Sequence, residues 1–258
     1  MCMPLVTFTS DLGTRDFYSA AIKGAILSHC ESVSFIDISH NVSAFNIKEA
    51  AFTIRNAYSY FPKGTIHVVH VNSSEGKGKL LLTLIDGHYF LTFDNGILSL
   101  AFERIPHETY QVNEELLESD SLLYENGIAK VIELLAKEYR PSDFAHLTTE
   151  AISFRLLQAS TSKGNIRGSV VYIDHFGNAI TNIGRKMFEE FIVTKNFSVL
   201  TNSATMRSIS QTYSDVEEGE AVCFFNSSGW LEIAINKGKA ENLLGLKTDV
   251  SSVLVITD

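Results

Sequence analysis

Apolar positions recur along about the first 150 residues with two different spacings. Short apolar runs at residues 5–9, 33–38 and 66–71 are typical of buried strands. Between them, residues 16–30 and the segment that begins at Asn46 carry apolar side chains three and four positions apart, which predicts amphipathic helices. Because strands and helices alternate, the pattern favours an α/β N-terminal domain, a layered sheet with flanking helices.

Turn and capping residues define other elements of this domain more closely. An Asp-Gly pair at residues 86–87 separates the strand-like runs 80–85 and 88–93, and this dipeptide is a strong signal for a two-residue hairpin. Asn126 is placed to cap a further helix, which the Arg-Pro pair at residues 140–141 would end.

The pattern changes after about residue 150. Strand-like apolar runs follow one another there, at residues 170–173, 192–200, 221–225, 231–235 and 253–256. Helical spacing is confined to residues 185–191 and 240–244, so a smaller all-β, barrel-like C-terminal domain is predicted. Small and polar residues collect within 160–168, and the expected division is an α/β domain over 1–160 and a β domain over 165–258.

Composition and charge argue against several kinds of partner. The chain has 258 residues, 45% of them hydrophobic, with a formal net charge of −9 and a pI near 5.4. No Lys/Arg cluster is present to neutralise phosphates, which argues against a nucleic-acid partner. No apolar stretch approaches the roughly 20 residues of a bilayer span, so no membrane contact is expected. The N-terminus also lacks the basic and apolar regions of a secretory signal.

The cysteines indicate a reducing compartment. Cys2, Cys30 and Cys223 lie far apart, their number is odd and no CxxC pair occurs. Reduced thiols fit this spacing best, so we expect a cytoplasmic protein. Cys30 and Cys223 stand among apolar residues and are expected to fill core positions.

Polar residues that directly follow an apolar strand give the strongest candidate for a ligand site. Residues 171–183 read VYIDHFGNAITNI, in which Asp174 can hold a cation, Phe176 can stack on a flat ring and Asn178 can donate and accept hydrogen bonds. Gly177 allows a sharp turn or a close approach to a ligand. The alternative is an ordinary polar turn, because Asp, Gly and Asn are the commonest turn formers.

A second candidate lies near the start of the chain. Asp11 follows the first apolar run, and ligands of open α/β sheets bind beyond the carboxyl ends of the strands. His67 and His70 look like a metal pair, but residues three apart on a strand point to opposite faces. His175 is interpreted as a turn or interface residue. No zinc spacing and no glycine-rich phosphate loop occurs, so neither a metal nor a cofactor is expected.

Five segments occur in an order that resembles one enzyme family. They are SDLGTRDFYSAAIKGAIL at residues 10–27, DISH at 37–40, DNGILS at 94–99, the segment 171–183, and NSSGWLEIAINKGKAENLLGL at 226–246. Together they resemble the S-adenosylmethionine (SAM) hydroxide adenosyltransferases, which hydrolyse SAM to adenosine and methionine and are relatives of fluorinating and chlorinating enzymes. The resemblance covers nearly the whole chain and implies the same two-domain plan. It also implies SAM or adenosine as the ligand, and a homotrimer whose sites lie between one subunit's N-domain and a neighbour's C-domain.

The resemblance implies roles for residues of the N-terminal domain. Asp11 would hold the ribose hydroxyls, Asp16 and Tyr18 would approach the substrate, and Phe45 would lie beside the sugar. From the residues alone, Asp16 is a candidate N-cap of the first helix. Phe45 is likewise a candidate hydrophobic staple before the cap at Asn46.

In the C-terminal domain, the resemblance implies that Asp174 holds the methionine amino group and Asn178 the adenine edge. Ser227 would hold the methionine carboxylate, and Ser228 stands where the halogenating relatives carry an Arg. Tyr213 falls at an aromatic position that can cover adenine. Mostly backbone contacts are implied for the remaining two positions, Asn236 and Lys237.

The chain departs from the resembled hydrolases where they activate water with an Asp, an Arg and a His. Asn72 occupies the position of the Asp and Lys79 that of the Arg, so these two catalytic candidates differ from the residues of the resembled hydrolases. The segment that would carry the His corresponds to residues 123–126, which read Leu-Tyr-Glu-Asn. Asn cannot take a proton and Lys does not replace the forked Arg side chain. The substrate pocket is expected to be kept while the water-activating group is lost.

Three functions remain open from the sequence. The first is a hydrolase of weak or altered activity that uses Lys79, Tyr124 or Glu125 on the water. The second is a non-catalytic protein that binds SAM or adenosine. The third is transfer to another nucleophile such as a halide, for which Ser73 and Ser74 could help to build a pocket.

Overall fold

The computed structural model describes residues 3–74, 78–117, 124–162, 164–192 and 196–257. It divides the chain into two compact units, Met1–Leu156 and Leu157–Asp258. This division falls ahead of residues 160–168, where the sequence places it. The reason is that Ser160–Ser162 forms a short strand that pairs with the next one, so this polar segment already belongs to the second sheet.

The first unit is built on a seven-stranded sheet. In chain order its strands are β1 Leu5–Ser10, β2 Ser34–Ser39, β3 Ile66–His70, β4 Leu80–Ile85, β5 His88–Phe93, β6 Thr109–Val112 and β7 Ala145–Leu147. Their order in the sheet is β2-β1-β3-β5-β4-β6-β7. Strands β2, β1, β3 and β5 are parallel, whereas β4, β6 and β7 join antiparallel. The carboxyl ends of four neighbouring strands therefore meet at one edge.

Two apolar cores cover the two faces of this sheet. Its helices are α1 Tyr18–His29, α2 Ile47–Ala57, α3 Ile97–Phe102 and α4 Glu125–Ala136. On one face Ile22 of α1 and Ile128 of α4 are fully buried against the sheet. On the other face Ile54 of α2 and Leu98 of α3 enclose a separate cluster. The α/β N-terminal domain is confirmed as three layers.

The second unit is an antiparallel sheet that nearly closes on itself. Its strands are β8 Ser160–Ser162, β9 Asn165–Ile173, β10 Ala179–Gly184, β11 Phe197–Leu200, β12 Thr205–Met206, β13 Ala221–Phe225, β14 Trp230–Ile235 and β15 Ser252–Thr257. The order is β12-β11-β15-β9-β10-β14-β13, with β8 beside β9. Beyond β12, Ser210 N–H donates to the Cys223 carbonyl of β13 at 2.9 Å. The two edges thus approach each other, which confirms the barrel-like all-β domain. Two short helices complete the unit, α5 Arg185–Phe191 and α6 Ala240–Leu243.

Several sequence predictions hold at the level of single residues. The hairpin β4–β5 has the predicted bounds, and Asp86 (φ 52°) and Gly87 (φ 85°) both adopt the left-handed backbone of a two-residue turn. Asn46 caps α2 by accepting the N–H of Glu49 at 3.2 Å. Cys223 is buried, whereas Cys30 is half-buried and Cys2 lies outside the described residues.

Other helix predictions are wrong. Asp16 does not cap α1, because the N-cap residue is Phe17 and no side chain bonds to the free N–H groups there. Asn126 does not cap α4, which begins at Glu125 after Tyr124 in a left-handed conformation and ends at Ala136. Of the run predicted as a strand from 192 to 200, Ile192 directly follows α5, residues 193–195 lie outside the described residues, and Phe197–Leu200 is a strand. Within the described ranges, no helix is long and apolar enough to cross a membrane.

Candidate functional site

The Asp11 carboxylate lies at the carboxyl edge of the first sheet, directly after β1, which runs between β2 and β3. Its Oδ2 accepts the backbone N–H groups of Phe45 at 2.9 Å and Asn72 at 3.2 Å. Among the residues that the structure describes, none donates to Oδ1. One carboxylate oxygen is therefore fixed by the protein, and the other can accept from a ligand hydroxyl.

Both donors of Asp11 have left-handed backbone, with φ of 65° at Phe45 and 48° at Asn72. Asn enters this region readily, whereas for an aromatic residue the conformation costs about 1–2 kcal/mol. The side chain of Phe45 is 69% exposed, so the predicted hydrophobic staple is wrong. The structure instead holds an exposed ring in a strained position beside the Asp11 carboxylate, an arrangement that favours a contact with ligand.

The DISH segment at residues 37–40 supports the loop that contains Asp11. The hydroxyl of Ser10 lies 2.7 Å from Nδ1 of His40, and both side chains are buried. The same hydroxyl accepts the N–H of Leu12 at 3.4 Å, and the His40 carbonyl accepts the N–H of Gly13 at 2.8 Å. The backbone on both sides of Asp11 is thereby fixed.

The DNGILS segment holds the Asn72 loop. The Asn95 side chain donates through Nδ2 to the carbonyls of Val71 at 2.8 Å and Asn72 at 3.4 Å. Its neighbour Asp94 accepts the N–H of Ile152 at 2.7 Å through Oδ1. The DISH and DNGILS segments, two of the five that carry the resemblance, therefore hold the Asp11 and Asn72 loops in position.

Of the three positions that replace the water-activating group, the structure describes Asn72 and Lys79. The side-chain amide of Asn72 has no hydrogen-bond partner within the described part of the chain. Lys79 lines a cavity of about 270 Å³ together with Asp94 and His146. Tyr124 packs on the ring of Phe93, with centroids 5.0 Å apart, in the core on the other face of the sheet. Lys79 and Tyr124 thus lie on opposite faces, and Leu123 is outside the described residues.

Two further residues predicted near the substrate lie at the start of α1. Asp16 is exposed and Tyr18 is 39% exposed. The ring of Tyr18 lies 4.6 Å from that of Phe17, centroid to centroid, and Phe17 is 69% exposed. Phe17, whose ring is exposed, is a residue that the sequence interpretation missed.

In the second unit, Asp174 and Asn178 form a closed turn between β9 and β10. Oδ1 of Asp174 accepts the N–H groups of Phe176 at 2.9 Å and Asn178 at 2.8 Å. Oδ2 accepts the side-chain amide of Asn178 at 3.0 Å. Gly177 has φ of 81°, which lets the turn close. The residues form the polar turn that the sequence offers as the alternative, and Phe176 and Asn178 of this turn also line a cavity.

This turn is joined to the opposite hairpin through Tyr213 and Glu232. The Asn178 amide donates to the Tyr213 hydroxyl at 3.4 Å, and that hydroxyl donates to Glu232 Oε1 at 2.8 Å. Oε2 of Glu232 accepts from Asn226 at 3.3 Å. Burial and the nearby charge of Asp174 raise the pKa of Glu232, although bonds from Tyr213 and Asn226 oppose the shift. Burial, followed by the Glu232 carboxylate, raises the pKa of Tyr213, so its proton stays in place.

Glu232 is the main residue of this network that the sequence interpretation missed. It is 4% exposed and stands in the apolar strand β14. A charged residue within a buried strand needs a partner, and this is a signal that could have identified it.

The predicted carboxylate-binding residues lie in the turn between β13 and β14. Ser227 and Ser228 are both exposed, and the Asn226 side chain holds this turn by accepting the N–H groups of Ser228 and Trp230, each at 3.1 Å. Asn236 has its backbone N–H and C=O and its side-chain Nδ2 bonded within the protein, and these bonds fix residues 216–220. Its predicted backbone contact with the ligand stays a prediction.

A cavity of about 610 Å³ opens beside this network. It is lined by residues from the turn, the Tyr213 segment and the end of β14: His175, Phe176, Asn178, Tyr213, Ile235, Lys237, Gly238 and Lys239. Its volume is in the range of small-molecule sites. The exposed ring of Phe176 and the half-exposed ring of Tyr213 offer flat surfaces for a heterocycle. Across the described ranges, no group of three or more His, Cys, Asp or Glu side chains is arranged to hold a metal ion.

Comparison with known proteins agrees with the order of the motifs. The model of the SAM hydroxide adenosyltransferase N-terminal domain matches residues 6–144, and that of the corresponding C-terminal domain matches residues 168–251. The chain belongs to this family. The two matched regions fall within the two structural units and include Asp11, Asn72, Asp174 and Asn178.

The relatives of this chain include enzymes of two kinds, hydrolases and fluorinases. An (R)-S-adenosyl-L-methionine hydrolase of Methanocaldococcus jannaschii is 24% identical over 95% of this chain and 93% of its own. A fluorinase of an Actinoplanes species is 26% identical over 90% and 91%. A conserved protein of Thermotoga maritima has the same fold, with a TM-score of 0.87, 24% identity and coverage of 97% and 99%.

Proposed function

We propose that the protein binds SAM and hydrolyses it slowly to adenosine and L-methionine. The observation that carries this proposal is the Asp11 carboxylate, held at Oδ2 by Phe45 and Asn72 with Oδ1 open to a ribose hydroxyl. It joins the ribose position to Asn72, the position from which the resembled hydrolases activate water. Family membership and the names of the hydrolase relatives support the same reaction.

The reaction requires little acid–base chemistry from the protein. A water oxygen attacks C5′ of the ribose in line, the C5′–S bond breaks, and the sulfur leaves as the neutral thioether of methionine. The water loses its proton to solvent or a nearby base, and no general acid is needed because the sulfonium already carries positive charge. The protein contributes mainly by holding the ribose and the water in line and by excluding bulk water.

The remaining substrate groups are assigned by the same proposal. Asp174 holds the amino group and Ser227 the carboxylate of the methionine part, with Ser228 beside it. Asn178, Phe176 and Tyr213 hold the adenine. The proposal retains Asp16 and Tyr18 near the substrate and reduces Asn236 to a support of the cavity wall.

A non-catalytic SAM-binding protein is the second candidate. It is favoured by the unbonded amide at Asn72 and by the separate cavity in which Lys79 lies, because neither places a base beside Asp11. Chromatography separates the two. The protein is incubated with each sulfonium diastereomer of SAM, since the hydrolase relatives are named for the (R) form, and Asp11→Ala serves as the control.

Adenosine formed by the wild type and lost in Asp11→Ala supports hydrolysis. Calorimetric binding of SAM without adenosine supports the non-catalytic candidate. Absence of both removes the proposal.

The proposal includes a homotrimer with sites shared between subunits, as the resemblance implies, in the reducing cytoplasm that suits the free thiols of Cys30 and Cys223. Light scattering tests the assembly. Mixing Asp11→Ala with Asp174→Ala subunits should then restore some complete sites and part of the SAM binding. A monomer that binds SAM at full affinity would contradict it.

A further inference from the structure

The side-chain amide of Asn178 is held in one orientation. Its nitrogen lies 3.0 Å from Oδ2 of Asp174. An ionised carboxylate only accepts hydrogen bonds, so the atom that faces it must be the NH2 group and not the carbonyl oxygen. The second amide hydrogen is directed at the Tyr213 hydroxyl oxygen at 3.4 Å. Both hydrogens of the Asn178 amide are therefore used inside the protein.

Glu232 determines the direction of the Tyr213 hydroxyl. The phenol has one proton, and Glu232 Oε1 accepts it at 2.8 Å. The Tyr213 oxygen is therefore left as an acceptor toward Asn178. Glu232 is itself fixed, because it is 4% exposed on β14 and its other oxygen accepts from Asn226 at 3.3 Å. Water has little access to compete for these bonds.

The side-chain oxygen Oδ1 of Asn178 is consequently the polar atom left for a ligand. No described residue donates to Oδ1, and Asn178 lines the cavity beside Phe176 and Tyr213. An adenine presents an exocyclic amino group, which can donate to this oxygen. A 6-oxopurine presents a carbonyl in the same place, and two acceptors that face each other leave both groups unpaired.

We infer that Glu232 is a positioning residue that acts through Tyr213, together with the direct bond from Asp174, to keep Oδ1 of Asn178 turned toward the cavity, and that the site thereby selects 6-aminopurine over 6-oxopurine nucleosides. This inference rests on the proposed function, which brings a purine to Asn178. Leaving one polar group unpaired on binding corresponds to a preference for adenosine over inosine of about 5- to 150-fold.

Calorimetric titration of the full-length protein with adenosine and inosine tests the inference. The variants are Glu232→Leu, which removes the acceptor of the Tyr213 proton, and Ile233→Val, which weakens the core at the next position of β14 without touching the network. We expect the preference for adenosine in the wild type and Ile233→Val. In Glu232→Leu it should fall several-fold, because the phenol proton is then free to turn toward Asn178 and only the bond to Asp174 still orients the amide. If Glu232→Leu does not fold, Tyr213→Phe breaks the same chain and keeps the ring.

Each result decides a different point. Equal affinity of the wild type for both nucleosides would overturn the inference while leaving adenosine binding intact. An unchanged ratio in Glu232→Leu, with both affinities lowered in parallel, would show that Glu232 only supports the fold. Binding of neither nucleoside nor SAM by the wild type would overturn the proposed function and the inference with it.

Discussion

Asn72 contacts the carboxylate of Asp11 through its backbone N–H, 3.2 Å from Oδ2, and not through its side chain. Its φ of 48° is one that Asn and Asp adopt more readily than most residues. The side chain at this position can therefore change from a carboxylate to an amide without loss of the hold on Asp11. Under the proposed function, the ribose contact of Asp11 would therefore not depend on which side chain stands at position 72.

Asn72→Asp should raise the rate of adenosine release. The variant keeps the backbone contact with Asp11 and adds a carboxylate that can take the proton of the attacking water. Positioned general bases contribute about 10²–10⁴-fold, so we expect a gain of at least about tenfold at saturating SAM, measured by chromatography. Asn72→Ser, which is polar but not a base, is the matched control. A further gain on adding Lys79→Arg would contradict the placement of Lys79 in a separate cavity.

Asp174→Ala should weaken SAM more than adenosine. Loss of the partner of a charged amino group costs about 1.5–3 kcal/mol, which is roughly 10- to 150-fold in the dissociation constant of SAM. Adenosine has no amino-acid part, but it should lose a smaller factor because Asp174 also orients Asn178. Calorimetry gives both constants, and equal losses would refute the assignment of the amino group to Asp174.

Phe45→Asn should stabilise the first unit and weaken nucleoside binding. Asn accepts the left-handed backbone at this position, which relieves up to about 1 kcal/mol, and little burial is lost with an exposed ring. Thermal unfolding and adenosine titration measure the two effects. Phe45→Leu keeps the strain but removes the ring, so it should lose affinity without a gain in Tm. If both variants bind like the wild type, the ring has no part in the site.

Stability of the first unit should fall in mild acid because of His67. Its side chain is fully buried. Nδ1 of His67 is hydrogen-bonded to the Thr7 hydroxyl at 2.7 Å, and Nε2 lies 3.2 Å from Nδ1 of His88. Burial, and then the neighbouring His88, lowers the pKa of His67 to about 3. Between that value and the ordinary 6.5, the unfolded chain binds a proton that the folded chain does not, so unfolding becomes easier as pH falls below 6.5. At pH 5 the loss is about 2 kcal/mol.

Urea unfolding at pH 7.5 and pH 5 measures this loss. His67→Gln keeps a hydrogen-bonding side chain that does not titrate, so its two unfolding free energies should differ by less than those of the wild type. The residual difference contains the contribution of His88, whose pKa is also lowered by burial. A wild-type stability that is flat over this range would contradict a buried neutral His67.

The sequence predicts those elements whose local signals agree with their packing. The Asp-Gly turn at 86–87 requires left-handed backbone at two residues, and this requirement sets the ends of β4 and β5 that flank the turn, Ile85 and His88. Helix α3 was missed for the opposite reason. Except for Ser99, its residues Ile97–Phe102 are apolar, and almost all of them are buried, so they have no polar face and no helical period.

The sequence indicates a residue of the candidate site where its place after a strand is enough to locate the side chain. It does not do so where the role of the residue depends on a contact with a residue far away in the chain. Asp11 follows from its place after β1. The role of Glu232 depends on Tyr213, which is 19 residues away in the chain, and its contact could not be inferred from spacing. The face of the sheet on which the Lys79 side chain lies depends on its register with β4, and a shift of one residue would move it to the other face.

The network from Asp174 to Glu232 has a consequence for turnover as a whole. It carries two carboxylates joined through neutral donors, beside a cavity that would hold a sulfonium ligand. SAM is a cation at neutral pH, whereas adenosine is uncharged and methionine is a zwitterion. The carboxylates of Asp174 and Glu232 attract a cationic ligand, and this attraction does not act on the uncharged nucleoside once the C5′–S bond has broken. Product inhibition by adenosine should therefore be weak compared with the affinity for SAM, and salt should reduce the affinity for SAM more than that for adenosine.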